Sequence, residues 1–193
     1  TPSLRDELYR IFYYDCPPLN KKLQHPISRK TIDFSKSERA IWRQQFIHEM
    51  TCRRKVAMRL GKVDEINTNW SINPKLTHKL VNGSISIQDL EENDIMLITK
   101  QKGVDMRIGI DIASLAYKQQ VERIVLIAGD SDFVPAAKLA RREGIDFILD
   151  PMWAPIKPDL FEHIDGLKST FPDPNKKLPK EAIPEAKDDF CER

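Results

Sequence analysis

The stretch Arg123 to Phe133, RIVLIAGDSDF, restricts the possible folds more than any other part of the chain. Ile124 to Ala128 are consecutive apolar residues, β-branched at Ile124, Val125 and Ile127. Such a run reads as a strand buried on both faces, as in a parallel sheet. It passes directly into Gly129-Asp130-Ser131-Asp132. Open α/β sheets place their chemistry at the C-terminal ends of such strands, where these two carboxylates stand. A helical pattern follows, with Val134, Ala137, Lys138, Ala140 and Arg141. The rest of the chain is best read for what it brings to Asp130 and Asp132.

A chain of 193 residues suits one domain with an inserted subdomain. Its 40% hydrophobic content supports a core, and a net charge of +2 confines any basic surface to local patches. Cys16, Cys52 and Cys191 are scattered, without metal-ligand spacing, so free thiols and a reducing compartment are expected. No apolar run nears the roughly 20 residues needed to span a bilayer. The opening TPSLRDELYR reads as amphipathic helix rather than a signal peptide, and the expected location is cytoplasmic.

In chain order, Ser3 to Arg10 predicts a helix, with Leu4, Leu8 and Ile11 at helical spacing. Ile11 to Asp15 predicts a strand that stops at Pro17-Pro18. Asp15 is thus a further acid at a strand end, with turn capping as the plainer reading. Asn20 to Phe34 is polar, basic and aperiodic, so a loop is expected. Ser35 with Glu38 fits a capping box for a helix running to about Lys55, and Val56 to Val63 predicts a strand. Arg53, Arg54, Lys55, Arg59 and Lys62 concentrate charge at this junction. They form either a solvated helix end or a contact surface for a phosphate backbone.

Between Asp64 and Asn93, Asn82-Gly83 among alternating apolar residues predicts a hairpin. Trp70 there is a packing anchor or, less simply, a base-stacking platform. Ile108, Ile112 and Leu115 mark a helix face, with Asp105 at its start and Asp111 within it. Plainer roles are capping for Asp105 and an i,i+4 pairing with Arg107 for Asp111. Gly144 ends the helix after GDSDF, Ile145 to Leu149 predicts a further buried strand, and Pro158 to Ser169 a last helix. The Pro-rich, charged remainder from Phe171 is expected to be a flexible tail. The whole predicts an α/β three-layer sandwich with a mainly parallel sheet.

Acids at strand ends and helix starts are Asp15, Asp105, Asp130, Asp132 and Asp150, with Asp111 nearby. Converging carboxylates are tolerated around a divalent cation, and Mg²⁺ or Mn²⁺ favours such oxygen ligands. Such a metal supports phosphoryl transfer, most simply phosphodiester hydrolysis. His25, His48, His78 and His163 fall in unrelated segments and are read as structural or exposed. No phosphate-binding glycine loop and no nucleophile elbow occur. Ser131 suits a turn or a phosphate hydrogen bond better than nucleophilic attack.

The blocks YYDCPP at 13–18, RLG at 59–61, QKGVDMRIGIDIASLA at 101–116 and VLIAGDSDFVPAAKLARREG at 125–144 resemble the NYN family. This is a branch of the PIN-like ribonucleases that includes the LabA-like (DUF88) proteins. The resemblance spans residue 9 to about 168. It implies a PIN-like domain over 1–170 with an insertion over about 20–95. It also implies Mg²⁺ or Mn²⁺ dependence and RNA as substrate, expected to be single-stranded. The family's acidic positions match Asp105, Asp111, Asp130 and Asp132, with Asp130, Asp132 and Asp105 as the metal ligands. Lys102, Arg107, Ser131, Arg54 and Arg59 are the expected RNA contacts. Family members open on a strand ending in Asp, in a motif like FxDGxN. The resemblance therefore implies a first strand and an acid that are not among these residues, without which folding and cleavage should be poor. The leading expectation is a metal-dependent endoribonuclease. The alternative is a PIN-like module that binds RNA, a protein partner or a second copy without cleaving. Action on DNA remains a further reading, and a DxD phosphatase fits least because Phe133 stands where its loop needs Thr.

Overall fold

The computed structural model describes residues 7–176. The chain divides into two compact units, Thr1–Val104 and Asp105–Arg193, and is mixed α/β. The first unit holds β1 (Ile11–Asp15), β2 (Lys22–Gln24), β3 (Thr31–Asp33), α1 (Glu38–Cys52) and β4 (Val56–Leu60). It continues with β5 (Lys62–Val63), β6 (Asn69–Ile72), α2 (Pro74–Val81), β7 (Ile95–Ile98) and β8 (Gln101–Lys102).

β1 and β4 pair in parallel, with Ile11 opposite Val56 and Asp15 opposite Leu60. The helix expected before β1 falls partly on residues 1–6, outside the described residues, and Glu7–Arg10 is not helical. Lys55 holds that segment, donating to the Leu8 carbonyl and pairing with Glu7 at 3.3 Å. The loop expected over 20–34 contains an antiparallel pair, β2 with β3, in which Leu23 faces Ile32. With so few apolar residues, the pair leaves no periodic signal. Its turn is organised by His25, whose Nδ1 accepts from the Ile27 and Ser28 amides.

Ser37, not Ser35, caps α1, and its Oγ accepts from the Ala40 amide at 3.2 Å. Asp33 has already captured Ser35 through its amide and its hydroxyl. The helix stops at Cys52, and Lys55 takes φ 62° to turn the chain into β4. The strand expected over 56–63 is broken at Gly61. A Cβ there would stand 2.7 Å from the Lys102 carbonyl oxygen and 2.8 Å from both Cys16 Sγ and Val104 Cγ2. Only glycine admits that close approach, and it lets the chain leave β1 and pair β5 with β8.

The hairpin expected at Asn82-Gly83 is instead the end of α2. Asn73 caps the helix and Pro74 occupies its first turn. At the other end the Ser84 amide donates to the Lys79 carbonyl and the Gly83 amide to that of Leu80, with Gly83 at φ 72°. That is a Schellman ending, which needs the same Asn-Gly pair as a tight hairpin. The antiparallel pair of this region lies elsewhere, with Trp70 of β6 opposite Leu97 of β7. Trp70 is a packing anchor, edge-on to the buried His25 at 4.8 Å and tilted against Phe34 at 6.1 Å.

The second unit's elements begin with α3 (Val104–Tyr117), which starts on the last residue of the first unit. It buries Ile108, Ile112, Leu115 and Ala116, the stripe read from the sequence. β9 (Arg123–Ile127), α4 (Val134–Arg142), β10 (Asp146–Asp150), α5 (Pro158–Phe161) and β11 (Gly166–Leu167) follow. The strand order is β11-β10-β9, all parallel. α4 packs on β10 and ends in another Schellman motif, Gly144 to Arg141 and Ile145 to Ala140.

β9 is not buried on both faces. Leu126 is buried, but Val125 is 53% and Ile127 59% exposed. The pleat separates them: Ile124 and Leu126 pair with the buried Phe147 and Leu149 on one face, and Val125 and Ile127 lie on the other. The helix expected over 158–169 covers only α5. Asp165 binds the Phe147 amide and Arg141, and Gly166 packs where a Cβ would meet Ile148 Cδ1 at 2.7 Å, so this segment becomes a strand. Among the described residues no helix is long and apolar enough to cross a membrane. Of the expected tail, residues 177–193 lie outside the described residues.

Candidate active site

β9 delivers the acids. Its chain leaves the sheet through Ala128-Gly129, and the Asp130 carboxylate accepts from the Asp132 amide at 3.2 Å. That bond caps a short 3-10 turn over Ser131–Phe133, which is anchored by the buried Phe133 ring and runs into α4. Both carboxylates are exposed to solvent. Ser131 lies between them, and its Oγ accepts from Lys157 Nζ at 2.9 Å. That bond leaves the hydroxyl proton available to an incoming acceptor.

Asp105 is exposed in the first turn of α3, and Asp111 is half-buried further along the same helix. Six residues at the helical pitch rotate the chain by roughly 240° net, so α3 alone does not set these acids on one face. Arg107 is exposed, four residues before Asp111. Among the described residues, no group of three or more His, Cys, Asp or Glu side chains is gathered as a metal cage.

Other strand-end acids have become structural. Asp15 is buried, binds the Cys16 amide at 2.7 Å and pairs with Arg43 at 3.4 Å. Asp150 is buried and accepts the Met152 and Thr170 amides. Burial pushes its pKa up, but those bonds outweigh burial and hold it below the ordinary value. Of the expected RNA contacts, Arg54 is exposed between α1 and β4, and Arg59 lies over the Phe12 ring at 5.1 Å. Lys102 Nζ is 2.5 Å from Asp64 Oδ2.

The family model for the NYN domain matches residues 24–155. The chain belongs to the NYN family. NYN domains are PIN-like nucleases, and the matched span contains Lys102, Asp105, Asp111, Asp130, Ser131 and Asp132. No curated protein and no solved structure matches the chain.

The donor set of this NYN domain suits the divalent metal that the family implies. Asp130 and Asp132 offer only oxygen, and Mg²⁺ is commonly held by one or two carboxylates together with substrate phosphate rather than by a complete protein cage. Two residues escape a reading of the sequence. Lys157 lies in an aperiodic WAPIKP segment, where Pro158 signals only a helix start. Asp64 precedes Asn67 at a spacing that hints at a local turn, and nothing local points to Lys102.

Proposed function

We propose that this NYN domain is a metal-dependent endoribonuclease that hydrolyses phosphodiester bonds of single-stranded RNA at Asp130 and Asp132. The observation that carries the reading is the Asp130–Asp132 turn. It presents two exposed carboxylates at the C-terminal end of a parallel strand, in a chain of a nuclease family. The expected PIN-like three-layer sandwich and cytoplasmic location belong to the same reading. Asp130 and Asp132 would hold Mg²⁺ or Mn²⁺ together with substrate phosphate, and Asp105 and Asp111, the family's further acidic positions, would support them. Such an ion lowers the pKa of a bound water and stabilises charge on phosphoryl oxygen.

The chain's own groups supply the rest. Ser131 donates to a phosphate oxygen, while Lys157 fixes its hydroxyl and offsets the local negative charge. Lys102, Arg107, Arg54 and Arg59 orient the backbone of the substrate.

The test is cleavage of labelled single-stranded RNA with Mn²⁺, with single-stranded DNA in parallel. RNA should be cut, EDTA should stop the reaction, and Asp130→Asn should lower the rate about 100-fold or more. Equal cleavage by the variant contradicts the reading, and preferential cutting of DNA moves the substrate class. A second reading, a module that binds RNA, a protein partner or a second copy without cutting, is favoured by the lack of a three-acid cage among the described residues. It requires RNA binding with no metal-dependent cleavage.

A further inference from the structure

β5 and β8 pair with Lys62 directly opposite Lys102. Directly opposed residues share one face of a sheet, and like charges so placed oppose folding. A local conflict of this kind is expected where a site needs the charge. Asp64 relieves half of it: its carboxylate binds Lys102 and is itself held by the Asn67 side chain at 2.6 Å. Lys102 is thereby fixed in place. Lys62 and Lys100 are exposed, and among the described residues neither pairs with a carboxylate. The Lys100 carbonyl accepts from the Asp64 amide at 2.8 Å, so the backbone carrying this charge is also fixed.

Beside these lysines lies a cavity of about 530 Å³, wholly within the first unit. Lys100, Lys102 and the Asp64 carboxylate line it together with Asn69 and Ser71, and Trp70 adds an apolar wall. The cavity is open to solvent on one side, and its volume has room for a nucleotide. Two ammonium groups against one carboxylate leave an excess of positive charge. Ammonium, amide and hydroxyl groups together are what holds phosphate and sugar, while apolar surface accepts the face of a base.

We propose that this cavity and the adjoining Lys62–Lys102 face bind the sugar-phosphate backbone of single-stranded RNA, with one nucleotide in the cavity and phosphates on Lys62 and Lys100. The proposal rests on RNA being the substrate and names a second contact surface for it, apart from the acids. Contacts to phosphate carry no sequence information, so binding here is indifferent to base sequence. Only Gly103 and Val104 separate Lys102 from Asp105 along the chain.

The experiment is fluorescence anisotropy of the intact chain with a labelled single-stranded RNA oligonucleotide, in EDTA so that nothing is cut. Lys62→Gln/Lys100→Gln should weaken binding about tenfold at low salt. It should also reduce the salt dependence of log K by about 1.4, that is, about 0.7 for each phosphate no longer neutralised. Both residues are exposed and Lys62 opposes Lys102, so the variant should melt at or slightly above the wild-type temperature, and a lower melting temperature would mark a folding defect rather than a lost contact. Unlabelled RNA should compete, and uridine monophosphate at the same phosphate concentration should not. Unchanged affinity and salt slope in the variant overturn the proposal, as does full competition by the mononucleotide, which would make this a free-nucleotide site. Absence of RNA binding by the wild type overturns it as well. Loss of cleavage in Asp130→Asn alongside unchanged binding in the lysine variant leaves the nuclease reading standing while this one fails.

Discussion

Asp64 in the first unit and Asp130 in the second both cap local turns, yet their surroundings differ. Asp64 is 7% exposed and is held by Lys102, by the Asn67 side chain and by the Asn67 amide. The Lys102 ammonium, then Asn67, holds its carboxyl well below the ordinary value of 3.8. Asp130 is exposed and binds one backbone amide, at 3.2 Å. Asp15 and Asp150 resemble Asp64 in being buried and occupied internally, although they end parallel strands as the GDSDF acids do. Position at a strand end does not make an acid functional. On the proposed reading, solvent exposure separates Asp130 and Asp132, which would meet a metal or a phosphate, from the buried acids that hold the fold.

That contrast can be broken or sharpened by substitution. Asp150→Ala removes a buried carboxylate and leaves the part-buried Met152 and Thr170 amides without their acceptor. It should cost about 1–3 kcal/mol, read by urea denaturation. An unchanged midpoint would remove Asp150 from the structural class. Gly61→Ala drives a methyl into the Lys102 carbonyl, Cys16 and Val104, and should also cost about 1–3 kcal/mol. Wild-type stability there would mean that the strand break does not depend on close approach.

The pH dependence has a definite sign. Asp64 and Asp150 have lowered pKa values in the folded chain, so their contribution is fully present above the unfolded carboxylate value near 3.8. It is lost as pH falls below that value and through the lower folded ones. Melting temperature should therefore drop steeply only below about pH 4. In Asp64→Asn, acid melting should be shallower, and a slope equal to wild type would contradict the assignment. The smallest expected effect is that of Lys62→Gln, which removes the like-charge pair and should raise stability by about 0.2–1 kcal/mol. A fall in melting temperature would show that Lys62 has a stabilising role.

The sequence was most legible where the signal is local. The α3 stripe, the strand into GDSDF and the Gly144 helix ending all follow from periodicity and capping within a dozen or so residues. Asn82-Gly83 predicts a hairpin because a Schellman ending and a tight hairpin need the same backbone, whereas Asn73 and Pro74 cap and open a helix there. The exposed face of β9 was hidden because an apolar run does not say how many faces are covered. At the site, Asp130 and Asp132 were visible as a motif. The contacts of Lys157 with Ser131 and of Lys102 with Asp64 join residues far apart in sequence, and no pattern encodes them.

The central claim is that Asp130 and Asp132 serve chemistry, while Asp15, Asp64 and Asp150 serve the fold. Its most direct test measures Mn²⁺-dependent RNA cleavage and melting temperature side by side for Asp132→Asn and Asp150→Asn. The account predicts that Asp132→Asn loses cleavage by about 100-fold or more at unchanged melting temperature. Asp150→Asn should melt lower, and its folded fraction should still cut RNA. The reverse pattern, an active Asp132→Asn or a stably folded but inactive Asp150→Asn, would contradict it.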